Sequence, residues 1–581
     1  MAPPPNGLIY SPDQLALIEK PGSRMVRACP GAGKTQSIVE RFIRRPGLEG
    51  DRLGVALISF TNAAITAVHE RCQDYPQLLR APNFVGTIDG FINRYIVGPI
   101  YTARRGHPPS FRDTWETTPG RVYTSTVKAG LRLRLAWFSF AADGEATLVR
   151  RRIPGELRPQ TMSAVKDVMD GITAEARYKW RSLTRAGFVD CEYARHLMTG
   201  YLVDPVLAGR LQRRFAHRFG EVIIDEFQDS NDGDVALIRF LEASGISVVM
   251  VGDVDQEIYG FRQTAPGETG ALAGLVEAGE PLDGNYRSTP AICKVVDSLR
   301  YGDSADTPCG PYKDEPRPVY VLKITGPAGA AKKITALAAR EGFAAEQIVV
   351  LSHGGSDARR YAGAGKPLGS ATTTIERLAQ ATAIIRDGNG KPQDRARAMA
   401  LFESILRESA GGFADLHDND FFEACRITQR QFRAGALRLA WRVSPYEATP
   451  QEFRDAIKSG IAELGWDKRF PDIAKKLRVT KDQKWKHIPA AGNPDALAYS
   501  TVHGYKGLQS PAVALVIPKA RDGGIQEGVS NWDCGARHET RRVLYVGASR
   551  AEQLLVLVVH DSQHAAVTTI LTRDGVLYEE A

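Results

Sequence analysis

The segment Ala28–Thr35, which reads ACPGAGKT, constrains this 581-residue chain more than any other feature. It follows an apolar, strand-like start and precedes a helix-patterned run, Gln36–Arg45. A strand that turns through glycines into a helix leaves backbone N–H groups and a helix N-terminus facing an anion, which suits the β-phosphate of a nucleotide. On that reading Pro30, Gly31, Ala32, Gly33, Lys34, Thr35 and Gln36 line the phosphates. Lys34 would reach the β and γ phosphates, and Thr35 would hold Mg²⁺. Ala28 stands where the strict pattern has Gly and keeps only its small size.

Such a loop needs an acidic partner at the end of a buried strand. Glu221–Asn231, EVIIDEFQDSN, supplies one. Val222, Ile223 and Ile224 bury the strand and deliver Asp225 and Glu226 to its C-terminal edge, where α/β folds bind ligands. Asp225 is placed to hold Mg²⁺ and Glu226 to orient and deprotonate an attacking water. A capping acid pair at a strand-to-helix junction would look the same without the upstream loop.

Short β-branched runs bounded by turn residues recur in two zones: Val55–Ile58, Val222–Ile224 and Val248–Val251, then Val319–Leu322, Ile348–Leu351, Ala512–Ile517 and Leu554–Val559. Alternating with helix-patterned segments, they read as buried parallel strands. The expected fold is therefore α/β, with two P-loop-type cores of parallel sheet, each carrying a mostly helical insertion. The first core is expected over 1–100 and 201–279, around a helical insertion at 101–200. The second is expected over 280–364 and 496–581, around a helical insertion at 365–495. Arg121–Phe138 and Ala174–Arg185 carry helical patterning in the first insertion, and Lys481–His487 is a basic, Trp-bearing patch in the second.

Composition adds limits. The 75 Lys+Arg exceed the 67 Asp+Glu by a net +8, too mild an excess to imply a polyanion partner alone. Seven dispersed cysteines with no CxxC pair argue against a disulfide framework, a zinc ribbon or an iron–sulfur cluster. Without a signal-peptide pattern or a bilayer-length apolar run, a cytoplasmic protein with no membrane partner is expected.

Beside the two phosphate-site segments, seven more occur in order: SPDQ (Ser11–Gln14), FTNAA (Phe60–Ala64), GTIDGF (Gly86–Phe91), VGDVDQEIYGFR (Val251–Arg262), NYRS (Asn285–Ser288), TVHGYKGL (Thr501–Leu508) and RRVLYVGASRA (Arg541–Ala551). Together the nine resemble the UvrD/PcrA/Rep family of superfamily 1 helicases, covering both cores but neither insertion. The resemblance implies two RecA-like cores sharing one ATP site. It also implies an ATPase that is stimulated by single-stranded DNA, translocates 3′-to-5′, acts at single/double-strand junctions and unwinds duplexes. It makes Gln14 the reader of adenine, an amide being able to pair with donor and acceptor alike, and Tyr286 the ring stacked on that base. Gln256 becomes the γ-phosphate sensor, and Arg287 and Arg550 the arginines that neutralise γ-phosphate charge. Phe60, Tyr259 and Phe261 fall where the family stacks bases, Phe261 replacing a usual tryptophan. Thr61, Asn62, Thr87 and His503 are candidates for backbone contact or coupling; stacking alone does not tell DNA from RNA.

Three departures accompany the resemblance. Gln509 replaces the glutamate that contacts the ATP ribose, Asp89 replaces a common histidine near the DNA path, and the second insertion lacks the family's glycine-and-aromatic duplex-binding signature, with Gly363–Lys366 at best a remnant. An alternative reading is an ATP-gated, DNA-sensing protein that signals to a partner nuclease. The compact chain looks similar to the helicase-like component of Gabija-type anti-phage systems.

Overall fold

The strand segments are apolar on every residue because both faces of each sheet are covered. In a computed structural model of the chain, Val222 and Ile224 enter one buried cluster of the first sheet while Ile223, between them, enters the cluster on the opposite face. Val248 and Met250 alternate with Val249 and Val251 in the same way. In the second sheet Val513, Leu515 and Ile517 face one cluster, and Ala512, Ala514 and Val516 the other. Period-two alternation into two dry faces is what a parallel sheet layered by helices requires. The structure describes residues 9–45, 53–60, 62–73, 75–115, 133–153, 158–257, 272, 274–302, 305–364, 373–386, 392–413, 418–479, 485, 496–519, 528–535 and 538–581.

In chain order the strands are β1 (Arg24–Arg27), β2 (Gly54–Ser59), β3 (Phe84–Thr87), β4 (Ser110–Arg112), β5 (Phe138–Phe140), β6 (Ala146–Leu148), β7 (Phe188–Asp190), β8 (Phe219–Asp225), β9 (Ser247–Gly252), β10 (Glu277–Ala278), β11 (Gly284–Asn285), β12 (Thr307–Pro308), β13 (Val319–Ile324), β14 (Ile348–Ser352), β15 (Ala498–Thr501), β16 (Ser510–Ile517), β17 (Ala551–His560) and β18 (Tyr578–Glu580). The first sheet runs β10-β1-β9-β8-β2-β3 and the second β15-β14-β16-β17-β13-β18. Both are parallel throughout. All seven apolar runs picked from the sequence lie in these strands.

Two helices fix the nucleotide end of the first sheet. Helix α1 (Pro12–Glu19) starts on a capping box at Ser11, and α2 (Lys34–Arg44) follows the glycine loop. Arg41 of α2 is fully buried and donates through Nε and Nη2 to both carboxylate oxygens of Glu221 in β8, at 2.8 and 2.6 Å. A further Nη1 bond, 2.9 Å to the carbonyl of Lys20, ties in the end of α1. This buried pair locks α2 against the strand that carries the acids.

The stretch between β3 and β8 is less helical than its patterning suggests. Helix Met169–Arg185 contains the expected Ala174–Arg185. The described end of the expected Arg121–Phe138 helix is instead a 3₁₀ turn, Leu135–Trp137, running into β5. The cause is aromatic packing: Phe140 stacks on Trp180 at 5.3 Å and 10°, which holds the β5–β6 hairpin against that long helix. The described residues of 374–476 are mostly helical and have their own core around Phe402, Phe421, Phe453 and Phe470. From the Lys481–His487 patch only Trp485 is described. It donates to the carbonyl of Ala448 at 2.8 Å and packs edge-on to Phe453, so it serves that core. Gly365 and Lys366 lie outside the described residues.

Candidate nucleotide site

The glycine loop is shaped from both sides. Gly31 and Gly33 have φ of 75° and 74°, the left-handed region that costs a side-chain-bearing residue about 1–2 kcal/mol. A Cβ on Gly31 would lie 2.6 Å from Asn285 Oδ1 and 2.7 Å from Arg287 Cβ; one on Gly33 would lie 2.7 Å from Gln14 Nε2. The segment Asn285–Arg287 therefore presses directly on the loop, and the Tyr286 N–H donates to the Gly31 carbonyl at 3.0 Å. The Tyr286 ring covers Gly284, where a Cβ would sit 3.2 Å from it. Gln14 reaches the loop from α1, donating through Nε2 to the Ala32 carbonyl at 2.9 Å while Oε1 accepts from the Ser11 N–H at 3.0 Å. Pro30 and Ala32 are buried, and Thr35 and Gln36 are half-buried in the first turn of α2.

Asp225 ends β8 and Glu226 follows it. Ser59 Oγ donates to Asp225 Oδ2 at 3.4 Å, while Asp225 Oδ1 is buried with no hydrogen-bond partner. Burial, reinforced by the adjacent Glu226, raises the Asp225 pKa. An orphaned, buried carboxylate oxygen beside a phosphate loop fits a divalent cation, which would supply the missing partner and charge. Glu226 has φ 55° and ψ 43°, a strained conformation for a side-chain-bearing residue that costs about 1–3 kcal/mol. Burial opposes its ionisation, but Lys34, Lys506 and Arg550 overcome that and hold its carboxyl below the usual range. Lys34 Nζ lies 3.8 Å from Glu226 Oε2, which also accepts from Gln228 Nε2. The carboxylate is thus ionised and open to accepting a proton.

Side chains from the loops and the helix beside the second sheet complete the site. Arg550 Nη2 donates to Gln256 Oε1 at 3.1 Å, and Gln256 Nε2 donates to Asp253 Oδ2 at 2.9 Å. Tyr545 Oη donates to the same Asp253 oxygen at 2.9 Å, and Gln228 Oε1 accepts from the Asp253 N–H at 3.1 Å. Lys506 Nζ bridges to Asp229 and to the Gln256 carbonyl, the latter at 3.0 Å. Arg287 donates through Nε to Gln509 Oε1 and through Nη1 to the Ser549 carbonyl, both at 2.8 Å. Burial lowers the pKa of Arg550, and burial together with the Arg550 charge lowers that of Arg287. Two desolvated cations of like sign make a strong attractor for a polyphosphate. Lys506, Asp229, Asp253, Tyr545 and Gln228 belong to the site although the sequence assigned them nothing. Each lies inside one of the quoted segments, but no spacing rule pairs residues hundreds of positions apart.

The residues picked for nucleic acid do not gather in one described place. Thr61, Tyr259, Phe261 and the side chain of Asn62 lie outside the described residues. Phe60 follows β2 and packs partly on the first core. Thr87 ends β3, in register with Ser59 of β2, and its Oγ1 caps the next helix by accepting from the Gly90 N–H at 3.1 Å. His503 sits in the turn after β15, at the corresponding edge of the second sheet. Asp89 is neutralised by Arg195, whose Nη1 lies 2.5 Å away and whose Nε also donates to Asp234 at 2.9 Å. No described helix is long and apolar enough to cross a membrane.

Residues 155–270 match the UvrD/REP helicase N-terminal domain. The chain is 24% identical over 282 residues to DNA helicase II of Escherichia coli, covering 47% of this chain and 38% of that protein. It is 25% identical over 289 residues to DNA helicase II of Haemophilus influenzae, covering 48% and 38%. A shorter stretch of 99 residues is 34% identical to an ATP-dependent helicase/nuclease subunit of Lactobacillus johnsonii, covering 15% and 8%. The chain thus matches well under half the length of these relatives.

Proposed function

We propose that the chain, which carries a UvrD/REP helicase N-terminal domain and is a homologue of DNA helicase II, is an ATP-dependent DNA motor whose hydrolysis is stimulated by single-stranded DNA. The observation that carries this reading is the Arg550–Gln256 hydrogen bond between the two cores, with the Arg550 charge felt by Glu226 of the first. An arginine contributed from the opposite side makes hydrolysis depend on closure of the cleft, and that dependence is how a hydrolytic cycle can drive movement.

In this mechanism Lys34 and the loop N–H groups hold the β and γ phosphates, with Gln14 and Tyr286 at the base. Thr35 and Asp225 would hold Mg²⁺, which supplies charge neutralisation between the phosphates. Glu226 takes a proton from the attacking water. Gln256 relays the γ-phosphate state, and Arg287 and Arg550 stabilise the charge that builds during transfer, positioned by Gln509, Ser549 and Gln256. Phe60, Thr61, Asn62, Thr87, Tyr259, Phe261 and His503 are proposed to contact a single strand at single/double-strand junctions, with 3′-to-5′ polarity. Strand displacement on duplexes with a 3′ or a 5′ tail tests this: ATP-dependent unwinding from the 3′ tail alone is expected, and unwinding from the 5′ tail alone would overturn it. A second reading, a protein that gates a partner nuclease, is favoured only by likeness to proteins named as helicase/nuclease subunits. It calls for little turnover by the isolated chain and a rise when the nuclease is added.

A further inference from the structure

Two neighbouring strands of the second sheet are each followed closely by a histidine. β14 and β15 are parallel and pair Ser352 with Thr501. His353 follows the first of these directly, and His503 lies two residues beyond the second. The two rings sit 5.3 Å apart between centroids, tilted by 42°. Glu539, in the first turn of the helix Glu539–Ala548, brings Oε1 to 3.9 Å from His503 Nε2. One donor atom from each of the three residues lies within 4.8 Å of the other two.

We propose that His353, His503 and Glu539 bind a divalent transition-metal ion of the zinc class, at a site distinct from the magnesium position beside Asp225.

The donor set suits such an ion: two imidazoles, which are borderline ligands, outnumber the one hard carboxylate, a set poorly matched to Mg²⁺, which prefers all-oxygen ligation. Metal–ligand distances of about 2.0–2.1 Å put donor atoms roughly 3.3 Å apart, so the three must close by an ångström or so. The exposed end of Glu539 and the turn that carries His503 can supply that movement. His353 is already prepared. Its Nδ1 is buried without a hydrogen-bond partner among the described residues, which leaves a ring nitrogen available to a metal. Three protein donors leave one coordination position open. His503 is also three residues before Lys506, which joins the sheets, so occupancy would stiffen the turn that carries the bridging lysine. The competing account is a protonated His503 paired with Glu539, a carboxylate that also interacts with Arg151.

The test uses the full chain, stripped with EDTA and titrated with Zn²⁺ against a chromophoric chelator and with Co²⁺ by visible absorption. One equivalent should bind, with a cobalt spectrum typical of low-coordinate nitrogen/oxygen ligation. His353→Ala should weaken binding by at least about tenfold and remove that spectrum, and Glu539→Gln should weaken it by about tenfold. His353→Gln serves if the alanine variant fails to fold, and retained ATP binding reports the fold. Absence of stoichiometric binding overturns the proposal. So does binding that survives His353→Ala, which would place the ion on the free cysteines, or binding indifferent to Glu539→Gln.

Discussion

Lys506 Nζ lies 2.7 and 2.6 Å from the two carboxylate oxygens of Asp229, with both side chains buried, and this pair joins the two sheets three residues from Glu226. Removing one partner strands the other charge away from water, at a cost of about 3–5 kcal/mol, whereas replacing both with apolar groups of similar volume costs far less. Lys506→Met and Asp229→Leu should therefore each lower the melting temperature sharply, and the double variant should recover most of the loss. Simple additivity of the two losses would contradict a compensated pair.

Gly31 is fixed by its left-handed backbone and by the press of Asn285 and Arg287. Gly31→Ala must push that segment away, separating Arg287 from the phosphate loop. The loop relaxes out of the left-handed conformation, and restoring it on binding costs roughly 1–2 kcal/mol, so nucleotide affinity should fall by about tenfold or more. Unchanged affinity in equilibrium binding would show that the close approach has no role in nucleotide capture.

Gln509 accepts from Arg287 Nε, so its role is to aim the guanidinium. A hydrogen bond to a charged group contributes about 1.5–3 kcal/mol, so Gln509→Ala should lower kcat by about tenfold or more with little change in KM for ATP. Gln509→Glu keeps an acceptor there and should keep most of the turnover. An equal fall in both variants would contradict that aiming role.

Arg550 touches Gln256 and faces Glu226 from the other sheet. Arginines in this position contribute on the order of 10³-fold to phosphoryl transfer. Arg550→Ala should lose that much turnover while still binding ATP, and Arg550→Lys should rescue little, because an ammonium cannot reproduce the guanidinium's planar fork. Near-normal turnover in either variant would remove Arg550 from the reaction.

Much of this was legible in the sequence, for a physical reason. Strands buried on both faces leave unbroken apolar runs, and the glycine loop with its acid strand leaves a fixed order of residue types. Strands with one wet or polar flank left weaker signals. β15 and β18 are edge strands whose residues are largely exposed, and Arg24 and Arg27 bracket β1. Phe138 carries helical patterning in sequence yet lies in a strand, because the packing of its neighbour Phe140 on Trp180 decided the outcome over local preference. Within the candidate site, the roles proposed for Lys34, Asp225 and Glu226 are suggested by local spacing, whereas the Lys506–Asp229 bridge joins positions 277 apart. Only the folded chain brings such partners together.

The most direct measurement is steady-state ATP hydrolysis by the purified chain with and without single-stranded DNA, beside Glu226→Gln. The account predicts turnover that rises strongly with DNA in the wild type and falls by about 10²–10⁴-fold in the variant, which should still bind ATP and DNA. Near-normal hydrolysis by Glu226→Gln, or wild-type hydrolysis indifferent to DNA, would contradict it.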